Sequence, residues 1–214
     1  MNAMILAAGR GERMRPLTDT CPKPLLEVRG VPLIEYHLDA LARVGIRRVV
    51  VNLSWLGGQI RDALGDGTRF GLRIDYSEEA EALETAGGIV QALDLLDERF
   101  IVTNGDVFTD FDFARLLDQS AAAHLVMVPN PGFNPQGDYA IEQGLLSNRG
   151  VQRHTFSGIA AYQKSFFAGL APGRRPLAPL LTAGADQQTI SAELHQGLWS
   201  DVGTPQRLAR LNRD

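Results

Sequence analysis

The chain of 214 residues contains one cysteine, Cys21, which excludes an internal disulfide and suits a reducing compartment. No apolar run approaches the roughly 18 residues that a membrane-crossing helix needs. The apolar start breaks into glycines and charges within a few residues, which does not fit a secretory leader. Positive charge is not in excess either: 21 Lys plus Arg stand against 25 Asp plus Glu, a formal net charge of −4. That balance excludes a general nucleic-acid binder, so any anion must be met by a local cluster of cations. Lysine is nearly missing, with only Lys23 and Lys164 present. In a chain that otherwise uses arginine, a lysine between Pro22 and Pro24 marks a place for a compact point charge. His37, His124, His154 and His195 share no metal-ligand spacing, and no Ser-His-Asp or Cys-His arrangement is visible. Without repeats or low-complexity linkers, residues 1–214 are expected to form a single domain of the cytoplasm.

What is present alternates between apolar and polar segments. Met4-Ile5-Leu6-Ala7-Ala8 reads as a buried strand that empties into Gly9, Gly11 and three arginines, Arg10, Arg13 and Arg15. A strand ending in such a loop presents backbone N–H groups and cations to phosphate. Met14 stands where a dinucleotide fingerprint wants its third glycine, and no Gly-Lys-Ser/Thr follows, so neither that motif nor a Walker A loop applies. Pro32 opens a helix that ends at Gly45, Val49-Val50-Val51 is a strand, and residues 55–64 form a short helix. Leu72 to Tyr76 alternates as a strand. Glu84-Thr85-Ala86-Gly87-Gly88 leads into a helix through Leu96. Phe100 to Thr103 runs as a strand into Asn104-Gly105-Asp106, followed by a helix over 112–121 and a strand over 125–128. This alternation predicts an α/β fold with a doubly wound, mostly parallel, Rossmann-like sheet and a site at the strand C-termini. From Pro129 to about Leu146, Pro, Gly and Asn punctuate short extended pieces, read as a small antiparallel insertion forming one wall of the cleft. A strand over 155–162, a helix near 176–184, a strand over 189–194 and a last helix capped by Thr204, with Pro205 at its first position, complete the pattern.

The opening loop, Leu6-Ala7-Ala8-Gly9-Arg10-Gly11-Glu12-Arg13-Met14-Arg15-Pro16-Leu17-Thr18 with Pro22-Lys23-Pro24 after it, resembles the signature of sugar-1-phosphate nucleotidylyltransferases, L-A-x-G-x-G-T-R-L-x-P-L-T followed by P-K-P. The resemblance extends to Glu84-Thr85-Ala86-Gly87-Gly88 (L-G-T-A-G-A in the family) and to Asn104-Gly105-Asp106. It takes in Trp199-x-Asp201-x-Gly203-Thr204 (W-x-D-x-G-T) as well. It implies a loop of Ala7, Ala8, Gly9, Gly11 and Glu12 around a nucleoside triphosphate. Arg13 and Lys23 would act on its phosphates, and Thr85, Gly87 and Gly88 would meet base and ribose. Asn104, Gly137, Asp138, Ser157 and Gly158 fall at the sugar positions. Asp106 and Asp201 would share one Mg²⁺, since converging carboxylates with phosphates completing the shell suit that ion.

Three departures stand out. Glu12 replaces the usual threonine, and Glu84 the usual glycine. The E-K-P whose lysine grips the sugar phosphate is missing between Tyr139 and Phe156, with Arg149 or Arg153 as substitutes. The Glu84 variant, Pro32-Leu33-Ile34-Glu35-Tyr36-His37-Leu38 and the short C-terminal end, without a β-helix domain, resemble the muramate-type uridylyltransferases of cell-wall recycling. The expected reaction is NTP plus sugar 1-phosphate giving NDP-sugar plus pyrophosphate. UTP and N-acetylmuramate 1-phosphate are the expected substrates, with a mannose- or heptose-1-phosphate guanylyltransferase as the alternative and a non-catalytic nucleotide-binding module as a third reading. A monomer without nucleic-acid or membrane partners is expected. His37 is read as packing or surface, and Trp55 as core or rim.

Overall fold

The computed structural model describes residues 1–213. The chain begins with β1 (Asn2–Leu6), the two-stranded ribbon β2 (Glu27–Val28) and β3 (Val31–Pro32), α1 (Leu33–Arg43), β4 (Arg48–Leu53), α2 (Gly57–Leu64) and β5 (Arg73–Glu78). Then come α3 (Glu84–Ala92), β6 (Arg99–Asn104), β7 (Val107–Thr109), β8 (Ala123–Val128), β9 (Tyr139–Glu142), β10 (Leu145–Ser147) and β11 (Arg153–Gln163). The chain closes with α4 (Ala178–Asp186), β12 (Ile190–Leu194), β13 (Trp199–Asp201) and α5 (Pro205–Leu211). Among the described residues no helix is long and apolar enough to cross a membrane.

The main sheet runs in the order β5-β4-β1-β6-β11-β8-β12-β10-β9. Its first four strands are mutually parallel, and their runs Ala3-Met4-Ile5, Val49-Val50-Val51 and Phe100-Ile101-Val102 are buried, as strands covered on both faces should be. One face packs on α1 through Ile34, Leu38 and Leu41. The other packs on α3 and α4, with Phe100, Tyr162 and Phe167 clustered there.

Two expectations need correction. The sheet is mixed rather than mostly parallel. β11 runs antiparallel to both β6 and β8, and β9 and β10 add antiparallel rungs. β9 also pairs with the start of β11, so the far end of the sheet curls back on itself. The sequence pattern conceals this because a strand buried on both faces reads the same in either direction. Second, the helix expected over 112–121 is only the 3₁₀ turn Phe113–Leu116. Asp112 caps it by accepting from Ala114 N, and a 3₁₀ repeat puts Phe113 and Leu116 on one buried side with nothing further to bury.

A smaller cluster of Met14, Leu26, Val28, Leu33, Phe108, Val202 and Leu211 lies under the glycine-rich loop. It joins that loop to the C-terminal helix, whose N-terminus Thr204 caps by accepting from Arg207 N at 3.4 Å.

In β11 the register shifts between Phe156 and Ile159. Gly158, at φ 81°, sits in this bulge with the Asn104 side chain against its Cα. A methyl group here meets both the left-handed backbone and Asn104. Gly158→Ala is therefore expected to cost roughly 1–3 kcal/mol, measured as a lower urea midpoint at unchanged m-value.

Candidate active site

The C-terminal ends of β1, β4, β5 and β6 open onto a cavity of about 220 Å³. Ala7, Ala8 and Gly9 form one side, Glu84 and Thr85 the other, and Asn52, Glu79 and Asn104 also line it. At one end stand Lys23 and Asp106, whose side chains are ion-paired. That pair also borders a second hollow made by Gly9, Gly11, Glu12, Arg13 and Gly203. At the other end Glu84, Thr85 and Asn104 are shared with a third hollow, walled by Asp138, Tyr139, Phe156 and the start of α4. The three form a string with Lys23–Asp106 at one joint and Glu84 at the other.

Local chemistry explains each wall. Gly11, at φ 64°, turns the loop into the short 3₁₀ turn Glu12–Met14, leaving Glu12 and Arg13 exposed above buried Met14. Neither Glu12 nor Arg13 has an ion-pair partner among the described residues. Arg10 lies over the Trp55 ring at 4.5 Å, and Trp55 donates to Thr18 O, so the loop is braced from the β4 side. Lys23 opens a 3₁₀ turn and is nearly buried, which leaves its ammonium few choices besides Asp106.

The backbone segments that carry Asp106 and Asp201 are joined by a ladder that sequence patterning did not reveal. β7 and β13 are antiparallel, Asp201 stands opposite Val107, and Val202 N donates to Asp106 O at 2.9 Å. The Asp201 carboxylate accepts from Arg207 Nη1 at 2.7 Å and packs against Gly203, which borders the same hollow as Asp106 and Arg13. Among the described residues no three His, Cys, Asp or Glu side chains cluster as a complete metal shell. Each of the two carboxylates is balanced by its own cation, Asp106 by Lys23 and Asp201 by Arg207.

Other expected site residues sit behind the walls. Gly87 and Gly88 are buried in α3 and do not line the cavity. The N–H groups of Ala86 and Gly87 donate to Arg175 O, and a Cβ on Gly87 would fall on Gly173 O. A Cβ on Gly88 would stand 2.6 Å from Glu79 Oε1. Both glycines are thus explained by close packing, while Thr85 and Glu84 meet the cavity. Ser157 and Gly158 are likewise buried, with Ser157 O accepting from Trp199 Nε1 at 3.0 Å. Asp138 does line the third hollow, but its oxygens accept from Asn134 Nδ2 at 3.0 Å and Phe156 N at 2.8 Å. Gly137 borders only a side recess with Asp138 and Arg153, and Arg149 lies outside the string.

Residues 2–131 match the family model described as Nucleotidyl transferase. The chain belongs to that family. N-acetylmuramate alpha-1-phosphate uridylyltransferase of Neisseria meningitidis is 50% identical, across 97% of this chain and 95% of the relative. Mannose-1-phosphate guanylyltransferase of Mycobacterium tuberculosis is 30% identical, across all of this chain but 64% of its own length. Among solved structures, a putative glucose-1-phosphate thymidylyltransferase from Bacillus anthracis superposes with a TM-score of 0.88 at 22% identity, covering 100% of this chain and 94% of that one. HddC from Yersinia pseudotuberculosis, complexed with GMP-PN, gives 0.82 at 20%, covering 99% and 98%. These two share the fold.

In this nucleotidyl transferase, sequence reading missed Asn52 and Glu79. Asn52 Oδ1 accepts from Ala7 N at 2.7 Å while its Nδ2 donates to Glu79 Oε1 at 2.6 Å, and Glu79 Oε2 accepts from Leu83 N at 2.9 Å. The chain of bonds ties the loop after β1 to the start of α3. The available signal was a polar residue ending each of two parallel strands, where sites form.

His37 of α1 is 2% exposed and lies under the Asn104–Val107 turn, bonded to backbone there with Nε2 unpartnered. Burial lowers its pKa from 6.5 to about 4, against the opposing pull of the Val107 and Asn104 carbonyls and the Asp106 charge. The ring is neutral at physiological pH and packs, as expected. Between pH 6.5 and about 4 the unfolded chain binds the proton that the folded chain refuses. Stability from this group is complete above that window and falls with pH through it, by about 3 kcal/mol. Urea midpoints against pH are expected to show a shallower acid slope for His37→Gln than for the parent.

Proposed function

We propose that the protein transfers the uridylyl group of UTP to N-acetylmuramate 1-phosphate, releasing pyrophosphate. The observation that carries the reading is the joint between the first two hollows. Lys23 and Asp106 stand there beside the loop, and the β7–β13 ladder ties the segment carrying Asp201 to the one carrying Asp106. An oxygen of the sugar phosphate attacks the α-phosphorus, forming the new P–O bond as the bond to pyrophosphate breaks. The attacking oxygen is already ionised, so no general base is needed, in keeping with a neutral, buried His37.

Catalysis then rests on positioning and on charge. The loop from Ala7 to Glu12 cradles the triphosphate. Lys23 leaves Asp106 to meet charge at the α-phosphate, and Arg13, free at the rim, accompanies the departing pyrophosphate. Asp106 and Asp201 fit Mg²⁺, which they would hold through carboxylate oxygens and which would neutralise phosphate charge. Arg207 remains as the counter-ion that keeps Asp201 in place. The hollow beyond Glu84, next to the antiparallel β9–β10 hairpin, takes the sugar. Such a reaction belongs to the cytoplasm, where UTP is available, and to the reuse of cell-wall sugars.

The base falls beside Glu79. A carboxylate has about four acceptor positions, and Asn52 and Leu83 N occupy two. The remaining ones suit an imino hydrogen, which uracil N3 and guanine N1 carry and cytosine N3 and adenine N1 lack. The 50% identity to a uridylyltransferase against 30% to a guanylyltransferase favours uracil.

Pyrophosphate release measured over each NTP and a panel of sugar 1-phosphates tests the assignment. UTP with N-acetylmuramate 1-phosphate is expected to give the highest kcat/KM, and a preference for GTP overturns the uridylyl reading. Lys23→Ala is expected to lower kcat on the order of 10²–10³-fold, by analogy with loss of one oxyanion donor. Glu79→Gln, which presents a donor as well as an acceptor, is expected to raise the CTP-to-UTP ratio of kcat/KM about tenfold or more.

A further inference from the structure

Glu84 has a backbone that glutamate does not favour. Its φ is 60°, the left-handed region, at the first position of α3. Residues held there without glycine's freedom concentrate at functional sites. Its side chain lines both the first cavity and the third hollow, at the joint between them. Its partner is Arg174, whose Nε lies 2.7 Å from Glu84 Oε1. Arg174 is 73% exposed, and its two terminal NH₂ groups have no hydrogen-bond partner among the described residues. It follows Gly173, at φ 117°, in a segment pinned to α3 by Arg175 N donating to Leu83 O and by Arg175 O accepting from Ala86 and Gly87. The same segment continues as Pro176, Leu177 and Ala178 into the wall of the third hollow.

Charge makes this arrangement informative. The residues lining the third hollow include two carboxylates, Glu84 and Asp138, and no lysine or arginine. Such a lining repels an acidic sugar unless a cation turns in from its edge. Arg174 is the arginine tethered to a lining residue there. A guanidinium held through Nε offers its outer edge as a fork for a second carboxylate.

Building on the muramate reading above, we infer that the Glu84–Arg174 pair selects for a carboxylate-bearing sugar 1-phosphate. Arg174 binds the carboxylate of the sugar's lactyl ether, and Glu84 is the positioning residue that holds the arginine over the hollow.

The test compares kcat/KM for N-acetylmuramate 1-phosphate and N-acetylglucosamine 1-phosphate, which differ by the lactyl group. Arg174→Gln is expected to reduce the acid-to-neutral ratio about 10–100-fold, the range for losing a charged hydrogen-bond partner, through KM for the acid sugar, with Arg174→Lys recovering part of it. Glu84→Gly relieves the backbone while removing the tether. It is expected to melt no lower than the parent yet lose selectivity in the same direction, which a merely structural role does not predict. A wild-type enzyme that rejects the acid sugar overturns the muramate reading and this inference together. A wild type that accepts it, with Arg174→Gln leaving the ratio unchanged or lowering both sugars equally, overturns the inference alone, equal loss pointing to a grip on the shared phosphate.

Discussion

Charge pairing beside the short β7–β13 ladder is the constraint on which the electrostatics of this site depends. Asp106 faces Lys23 and Asp201 faces Arg207, so each acid carries its own counter-ion. The two cations differ in purpose. Arg207 is part of α5 and also lies over the Phe133 ring at 3.5 Å, which makes it a fixed brace. Lys23 is a compact point charge on a turn between prolines, nearly buried against its acid.

The rest of the fold holds this ladder under the glycine-rich loop. Parallel strands β4, β1 and β6 deliver Asn52, Ala7 and Asn104 to the same edge, since their C-terminal ends share one level. The Asn52–Glu79 bonds then fasten the loop to α3, and Met14, Phe108, Val202 and Leu211 bury the contact between the loop and the C-terminal segment. A loop of small residues and exposed arginines cannot hold its own shape; these neighbours hold it.

Most of the residues that line the first two hollows were legible, because glycine-rich turns and isolated cations leave local marks. Gly9, Gly11, Arg13 and Lys23 stand within one stretch, and each marks a backbone or charge requirement visible in isolation. Glu79 and Asn52 were not legible, because a single polar residue after a strand looks like any strand end until its partner is known. Gly87 and Gly88 were read for a ligand when their neighbours are Gly173 O and Glu79, contacts that no spacing encodes. The direction of β11 was hidden for a similar reason: burial on both faces erases the alternation that separates one strand class from another.

By itself, the sequence determined the α/β alternation, the glycine- and arginine-rich loop after β1 and the family to which the chain belongs. These depend on residue type and short-range spacing. Tertiary structure alone decided that β7 and β13 pair beside residues 106 and 201, that β11 reverses the sheet, and that Glu84 reaches Arg174 at the joint of two hollows. Those facts depend on which distant segments share a boundary, and the energy of that choice is spread over the whole core.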